Sequence, residues 1–182
     1  MADLATRTLP LRGFHGSSAT VRLTPAPPAS RLSLRARPEA VEALSTALGL
    51  SLPTRPKTSA TNAARHALWL GPDEWLVIDA LDTDLLGMAA AAGVLHSATD
   101  ISHRNTAILV DGPGAAAAIN VGCPQDLSLK AFPVGGCSRT VFGKAEIVLL
   151  RTGETAFRVE CWRSFAPYVS GLLAAGAVDA SH

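Results

Sequence analysis

The sequence predicts an α+β fold, a single compact domain of two ββα-like halves, and three observations carry that expectation. Two apolar runs in "HALWLGPDEWLVID" flank Gly71-Pro72-Asp73-Glu74, where proline presets a turn and aspartate favours it, the mark of an antiparallel hairpin. Strand-like runs around Ser138 to Phe142, Glu146 to Arg151 and Ala156 to Cys161 follow one another with only short turns between. Helical periodicity occurs in separate stretches without strict alternation with strands, which favours α+β over a doubly wound parallel sheet.

The chain opens with a stretch whose arginines interrupt short apolar pieces, and "TPAPPAS" follows at residues 24 to 30. A proline-rich run cannot sustain a hydrogen-bonded ladder, so residues 1–30 are expected to form a flexible arm and 31–178 the folded domain. "RLSLRAR" alternates Leu32, Leu34 and Ala36 with Arg31, Ser33, Arg35 and Arg37, a half-buried strand with its arginines turned outward. Pro38 then starts a helix whose face carries Val41, Leu44 and Leu48, and Gly49 supplies its left-handed cap. Residues 51–62 hold two prolines and no periodicity, and read as a long connection.

Trp69 and Trp75 of the hairpin are expected to pack in the core or along an edge. Acids lead the segment 83–92 and a glycine ends it, which suits a helix. A strand is expected over 95–101 and another over 106–110, with a short helix over 114–121. The last helix is predicted from Phe165, Tyr168, Val169, Leu172 and Leu173 on one face, with Ser164 as N-cap and Gly176 as its stop. The halves divide near residue 95.

The composition narrows the function. Of 182 residues, 48% are hydrophobic and 17% charged, enough apolar side chain for a core and too little charge for a disordered chain. The formal charge of +1 is spread without a basic stripe, which argues against nucleic acid as a partner. No continuous apolar run has the length of a signal peptide core or a membrane helix, so a soluble protein without a membrane partner is expected. Cys123, Cys137 and Cys161 are odd in number and far apart, which suggests reduced, buried thiols in the cytoplasm.

No constellation announces a catalytic centre. The run Gly112 to Ala117 fits the letters of a dinucleotide fingerprint, but Pro113 removes a backbone donor and no acid follows about 20 residues later. In "DISHRNTAILV", Asp100, Ser102 and His103 hold the letters of a hydrolase triad, yet on a strand His103 points away from the other two, and no nucleophile elbow presents the serine. A structural network fits better, with Asp100 or Ser102 capping backbone donors and Arg104 pairing a carboxylate. The five histidines are scattered without a zinc-type spacing, and Asp73 and Glu74 are explained by their turn. No catalytic and no metal-binding residues are therefore assigned.

The order of "LGPDEWLVI", "DISHRNTAILVDGPGA", "CPQDLS", "FPVGGCSRTVFGKAEIVLLR" and "CWRSFAPYVSGLL" resembles the gamma subunit family of heterotetrameric sarcosine oxidase, over roughly residues 66–176. That family is in turn similar to the folate-binding domain of the glycine-cleavage T-protein. The resemblance implies a hetero-oligomeric complex with alpha, beta and delta subunits in the cytoplasm. Such a complex oxidises sarcosine to glycine, makes hydrogen peroxide, and passes the one-carbon unit to tetrahydrofolate. FAD, FMN, NAD, zinc and tetrahydrofolate are implied on the other subunits, and no cofactor on this chain alone.

In the T-protein the second hairpin leads to an aspartate that contacts folate and the aminomethyl group. Here "TVFGKAEIVLL" offers Gly143, Lys144 and Ala145 instead, with Glu146 opening an alternating strand. The resemblance thus implies a non-catalytic assembly subunit. Ser102, His103, Arg104, Arg139 and Thr140 become candidates for the polar part of a T-protein-like pocket or of an interface. The alternative is a stand-alone folate-binding one-carbon module, in which Arg104 and Arg139 would hold the glutamate tail. An unattached hydrolase is a more distant rival.

Overall fold

Hydrophobic alternation along the strands accounts for the layering. In the computed structural model, which describes residues 9–13 and 16–181, strand β2 (Ser30–Ala36) buries Leu32, Leu34 and Ala36 on one side, and strand β5 (Glu74–Asp79) buries Trp75 and Val77 there. Helices α1 (Val41–Leu48) and α2 (Leu85–Ala90) cover that side through Leu44, Leu48, Leu85 and Ala89. With β3 (Ser59–Asn62), β4 (Arg65–Gly71) and β6 (His96–Asp100), these strands form an antiparallel N-terminal sheet in the order β3-β4-β5-β2-β6.

The C-terminal sheet repeats the plan. It has the order β1-β7-β10-β9-β8, from β1 (Arg22–Pro25), β7 (Asn105–Asp111), β8 (Cys137–Phe142), β9 (Ala145–Gly153) and β10 (Ala156–Trp162), again antiparallel. Its outer side carries Ile147, Leu149, Phe157 and Val159 against helices α3 (Ala115–Asn120) and α4 (Ala166–Asp179). The inner sides of the two sheets meet through Leu68, Leu76, Ile78, Val148 and Leu150. The result is helices, sheet, sheet, helices, with the central strands such as β5 and β9 shared between two cores by their period of two.

Both hairpins, the strand at 96–100 and the first three helices form where the sequence places them, while α4 starts at Ala166 after a turn that contains Ser164, which does not cap it. Asp84 caps α2 by accepting the Gly87 amide at 2.8 Å, and Gly49 closes α1 with φ +68°. The division between halves falls nearer residue 101 than 95, because β6 belongs to the N-terminal sheet.

Four expectations need correction. The described part of the arm over 1–30 packs on the domain: β1 pairs with β7, and Leu11, Val21 and Leu23 enter the core. Proline is tolerated there because Pro25 ends an edge strand. The rest of that expectation, over residues 1–8, 14 and 15, lies outside the described residues. The connection over 51–62 ends in β3, a polar edge strand with no apolar alternation to betray it.

Arg31 points inward, not to solvent, since the inner side of β2 faces a second sheet. The last helix is rotated from its expected face and runs past Gly176 to Asp179. It buries Ala166, Val169, Leu173, Gly176 and Ala177, leaving Phe165 and Tyr168 exposed. Gly176 is a contact, not a stop: it lies so close to the Ala118 carbonyl of α3 that a Cβ has no room.

Candidate functional site

The turn between β6 and β7 carries Ser102, His103 and Arg104, and it splits them between two places. Ser102 Oγ accepts the Arg31 amide at 2.8 Å, and the Ser102 amide donates to Asp100 Oδ1 at 2.8 Å. The serine thus ties the turn to β2, and its hydroxyl is engaged with backbone, not with His103. Ser102 and His103 border a surface hollow of about 380 Å³ shared with Asp82, Asp84 and Asp100.

Arg104 turns the other way. Its guanidinium lies 5.1 Å from the centroid of the Trp162 ring, and its Nε donates to Asn105 Oδ1 at 3.3 Å. The carboxylate partner expected for Arg104 is absent among the described residues, because the guanidinium stacks on an aromatic face instead.

Arg139, on β8, faces the same cleft between the sheets and forms an ion pair with Glu74 from the hairpin turn of the N-terminal sheet. Glu74 also takes Arg35 at 2.9 Å. Burial alone would push the Glu74 carboxyl up, but the two guanidiniums together hold it below the usual range. Thr140, the next residue of β8, points to the opposite side and borders neither place. Of the five candidates, the structure brings together Arg104 with Arg139, and Ser102 with His103.

The cleft gains three residues that sequence reasoning did not select: Glu74, Glu146 and Trp162 all line it. Glu74 was legible only as a turn former, and Trp162 only as a letter of "CWRSFAPYVSGLL", just past the strand expected to end at Cys161. Deeper between the sheets lies a buried ionic cluster. Glu160 accepts Arg31 Nε at 2.7 Å and Arg31 Nη2 at 3.2 Å, and also Arg158 Nε at 2.8 Å. Nearby, burial first and the Arg158 guanidinium second lower the His66 imidazole from its ordinary pKa.

The three thiols are buried, and Cys161 borders the cleft beside Glu160. Burial pushes Cys137 and Cys161 each up to about 12, far from the thiolate form that a nucleophile requires. Among the described residues, no three His, Cys, Asp or Glu side chains gather as a metal site, and no helix is long and apolar enough to cross a membrane.

Comparison with known proteins places this geometry. The family model for sarcosine oxidase, gamma subunit, matches residues 34–179. The sarcosine oxidase subunit gamma of Arthrobacter sp. is 35% identical over 136 residues, 72% of this chain and 67% of the relative. That of Corynebacterium sp. strain P-1 is 31% identical over 159 residues, 84% and 78% of the two chains. Among solved structures, a chain of the heterotetrameric sarcosine oxidase from Corynebacterium sp. U-96, in complex with pyrrole 2-carboxylate, superposes with a TM-score of 0.85 at 28% identity. The match covers 92% of this chain and 89% of that one.

The glycine cleavage system aminomethyltransferase T from Bartonella henselae has a TM-score of 0.64 at 18% identity, covering 90% of this chain and 48% of its own, which establishes likeness of fold alone. The chain belongs to the sarcosine oxidase gamma subunit family.

Proposed function

We propose that this chain serves as the gamma subunit of a sarcosine-oxidising complex, as an assembly subunit without a catalytic centre of its own. The observation that supports this most is the match of almost the whole chain to a chain of a heterotetrameric sarcosine oxidase. The site geometry agrees. Ser102 is bound to backbone, Arg139 to Glu74, and burial holds the Cys137 and Cys161 thiols protonated, so these groups stabilise the fold rather than act on a substrate.

In this reading the partners are the alpha, beta and delta subunits, in the cytoplasm. They supply FAD, FMN, NAD, zinc and the tetrahydrofolate site. The complex converts sarcosine, oxygen and tetrahydrofolate into glycine, hydrogen peroxide and methylene-tetrahydrofolate. The carbon leaves sarcosine as a methylene unit on folate, and its two electrons reduce oxygen to peroxide.

The test is co-expression of the tagged chain with the other subunits of its host. The expected result is co-purification with larger, flavin-coloured subunits and sarcosine-dependent peroxide release that fails when this chain is omitted. A colourless chain that purifies alone and binds tetrahydrofolate would overturn the proposal in favour of an independent folate module.

A further inference from the structure

The inner side of the C-terminal sheet extends beyond the sheet that covers it. Strand pairing sets Val141 opposite Glu146 and Trp162 opposite Asn105. The β9–β10 register, which pairs Ile147 with Cys161, continues so as to bring Glu146 beside Trp162. One row further in, Val148 and Glu160 are buried. In this outermost row Val141 and Trp162 are 48% and 42% exposed, and Glu146 is exposed as well.

The ledge is built to stay rigid. Phe165 packs against Trp162 with ring centroids 6.2 Å apart, and Arg104 stacks on the indole. The Arg163 amide donates to the Arg104 carbonyl at 2.8 Å, clamping the turn after β6 to the end of β10. Side chains already held in place lose little entropy on binding, and tryptophan and arginine are the residue types that dominate interface energies.

Its charges are unmatched. Arg35 and Arg139 share the one carboxylate of Glu74, whereas Arg104 and Glu146 make no ion pair among the described residues. The ledge therefore offers an aromatic platform with a cation lying over it and an anion beside it. A complementary surface presents an apolar side chain to Trp162 and Phe165, a carboxylate to Arg104 and a cationic side chain to Glu146.

We infer that this ledge is a docking face for another subunit of the sarcosine-oxidising complex, whose contacting segment has that apolar, acidic and basic pattern. The inference rests on the gamma-subunit reading above and assigns it a surface.

The test uses the tagged full chain co-expressed with the other subunits, comparing the wild type with Arg104→Glu, Trp162→Ala and Glu146→Lys. Leu95→Asp, at a residue 81% exposed just before β6, serves as a surface control. Arg104→Glu and Trp162→Ala are each expected to weaken retention of the larger subunits roughly tenfold or more, the scale of a central interface residue. Glu146→Lys follows in the same direction, and the control retains its partners.

Melting curves of the isolated chains identify any variant that fails to fold, and the exposed Arg104→Glu is expected to melt with the wild type. Retention by folded Arg104→Glu and Glu146→Lys chains equal to wild type would overturn the inference while leaving the subunit reading intact. So would an equal loss in the Leu95 control, or a homodimer of the isolated chain that Arg104→Glu dissolves. A wild type that retains no other subunit would bring down the subunit reading, and this docking face with it.

Discussion

Glu160 and Arg31 are 129 residues apart in sequence and meet as a buried two-pronged ion pair between the sheets, at 2.7 and 3.2 Å. Arg31 comes from the N-terminal sheet and Glu160 from the C-terminal one, so the pair is a buried polar joint beside the apolar contacts between the sheets. Arg158, from the same strand as Glu160, adds a second guanidinium to the one carboxylate.

Glu160→Gln leaves both guanidiniums buried without their anion. Removing one partner of a buried pair typically costs about 3 to 5 kcal/mol, and that loss is expected here. Arg31→Met is expected to cost less, because Glu160 keeps Arg158. Urea unfolding of both variants checks the order, and an equal or reversed order would contradict the asymmetry.

His66 makes stability depend on pH at the same joint. Its ring contacts the Thr61 hydroxyl at 3.0 Å. Burial and the Arg158 charge depress its pKa, outweighing the attraction of Asp79. The unfolded chain therefore binds the proton more readily. The stability this residue contributes is fully present above about pH 6.5 and is lost as pH falls through the lower, folded value. His66→Gln is expected to flatten that part of the profile, as read by unfolding midpoints over a pH series.

Native thiols should resist alkylation. With Cys137 and Cys161 pushed to about 12 by burial, iodoacetamide is expected to leave both unmodified in the folded chain while modifying them fully in denaturant. Mass spectrometry of protein quenched before and after unfolding reads the difference. Rapid native labelling would mean that the sheets open readily.

Gly176→Val tests the seam between α3 and α4. A Cβ at this position meets the Ala118 carbonyl, so the helices must separate. The expected loss is about 1 to 3 kcal/mol, the range for overpacking, despite the better helix propensity of valine over glycine. An unchanged melting temperature would show that the seam yields freely.

The sequence by itself determined the α+β class, both hairpins and the extents of most helices, because each rests on local signals such as the Pro72-Asp73 turn, the Asp84 cap and the Gly49 termination. The ordered motifs also carried the family. Only the tertiary structure decided which polar residues face one another. Period-two alternation separates Arg31 from Leu32 but does not say whether the arginine's side meets water or a second sheet.

For the same reason Ser102 and Arg104, two residues apart, serve different surfaces, while Arg139 and Glu74, 65 apart, serve one. β1 was hidden because the strand that pairs with it lies more than eighty residues away, as the Arg22 and Asp111 partners show. Edge strands, inward charges and the exposed end of the C-terminal sheet depend on contacts between segments distant in sequence. No local pattern encodes which neighbour a face will find, and that choice placed Trp162 and Arg104 on an open ledge.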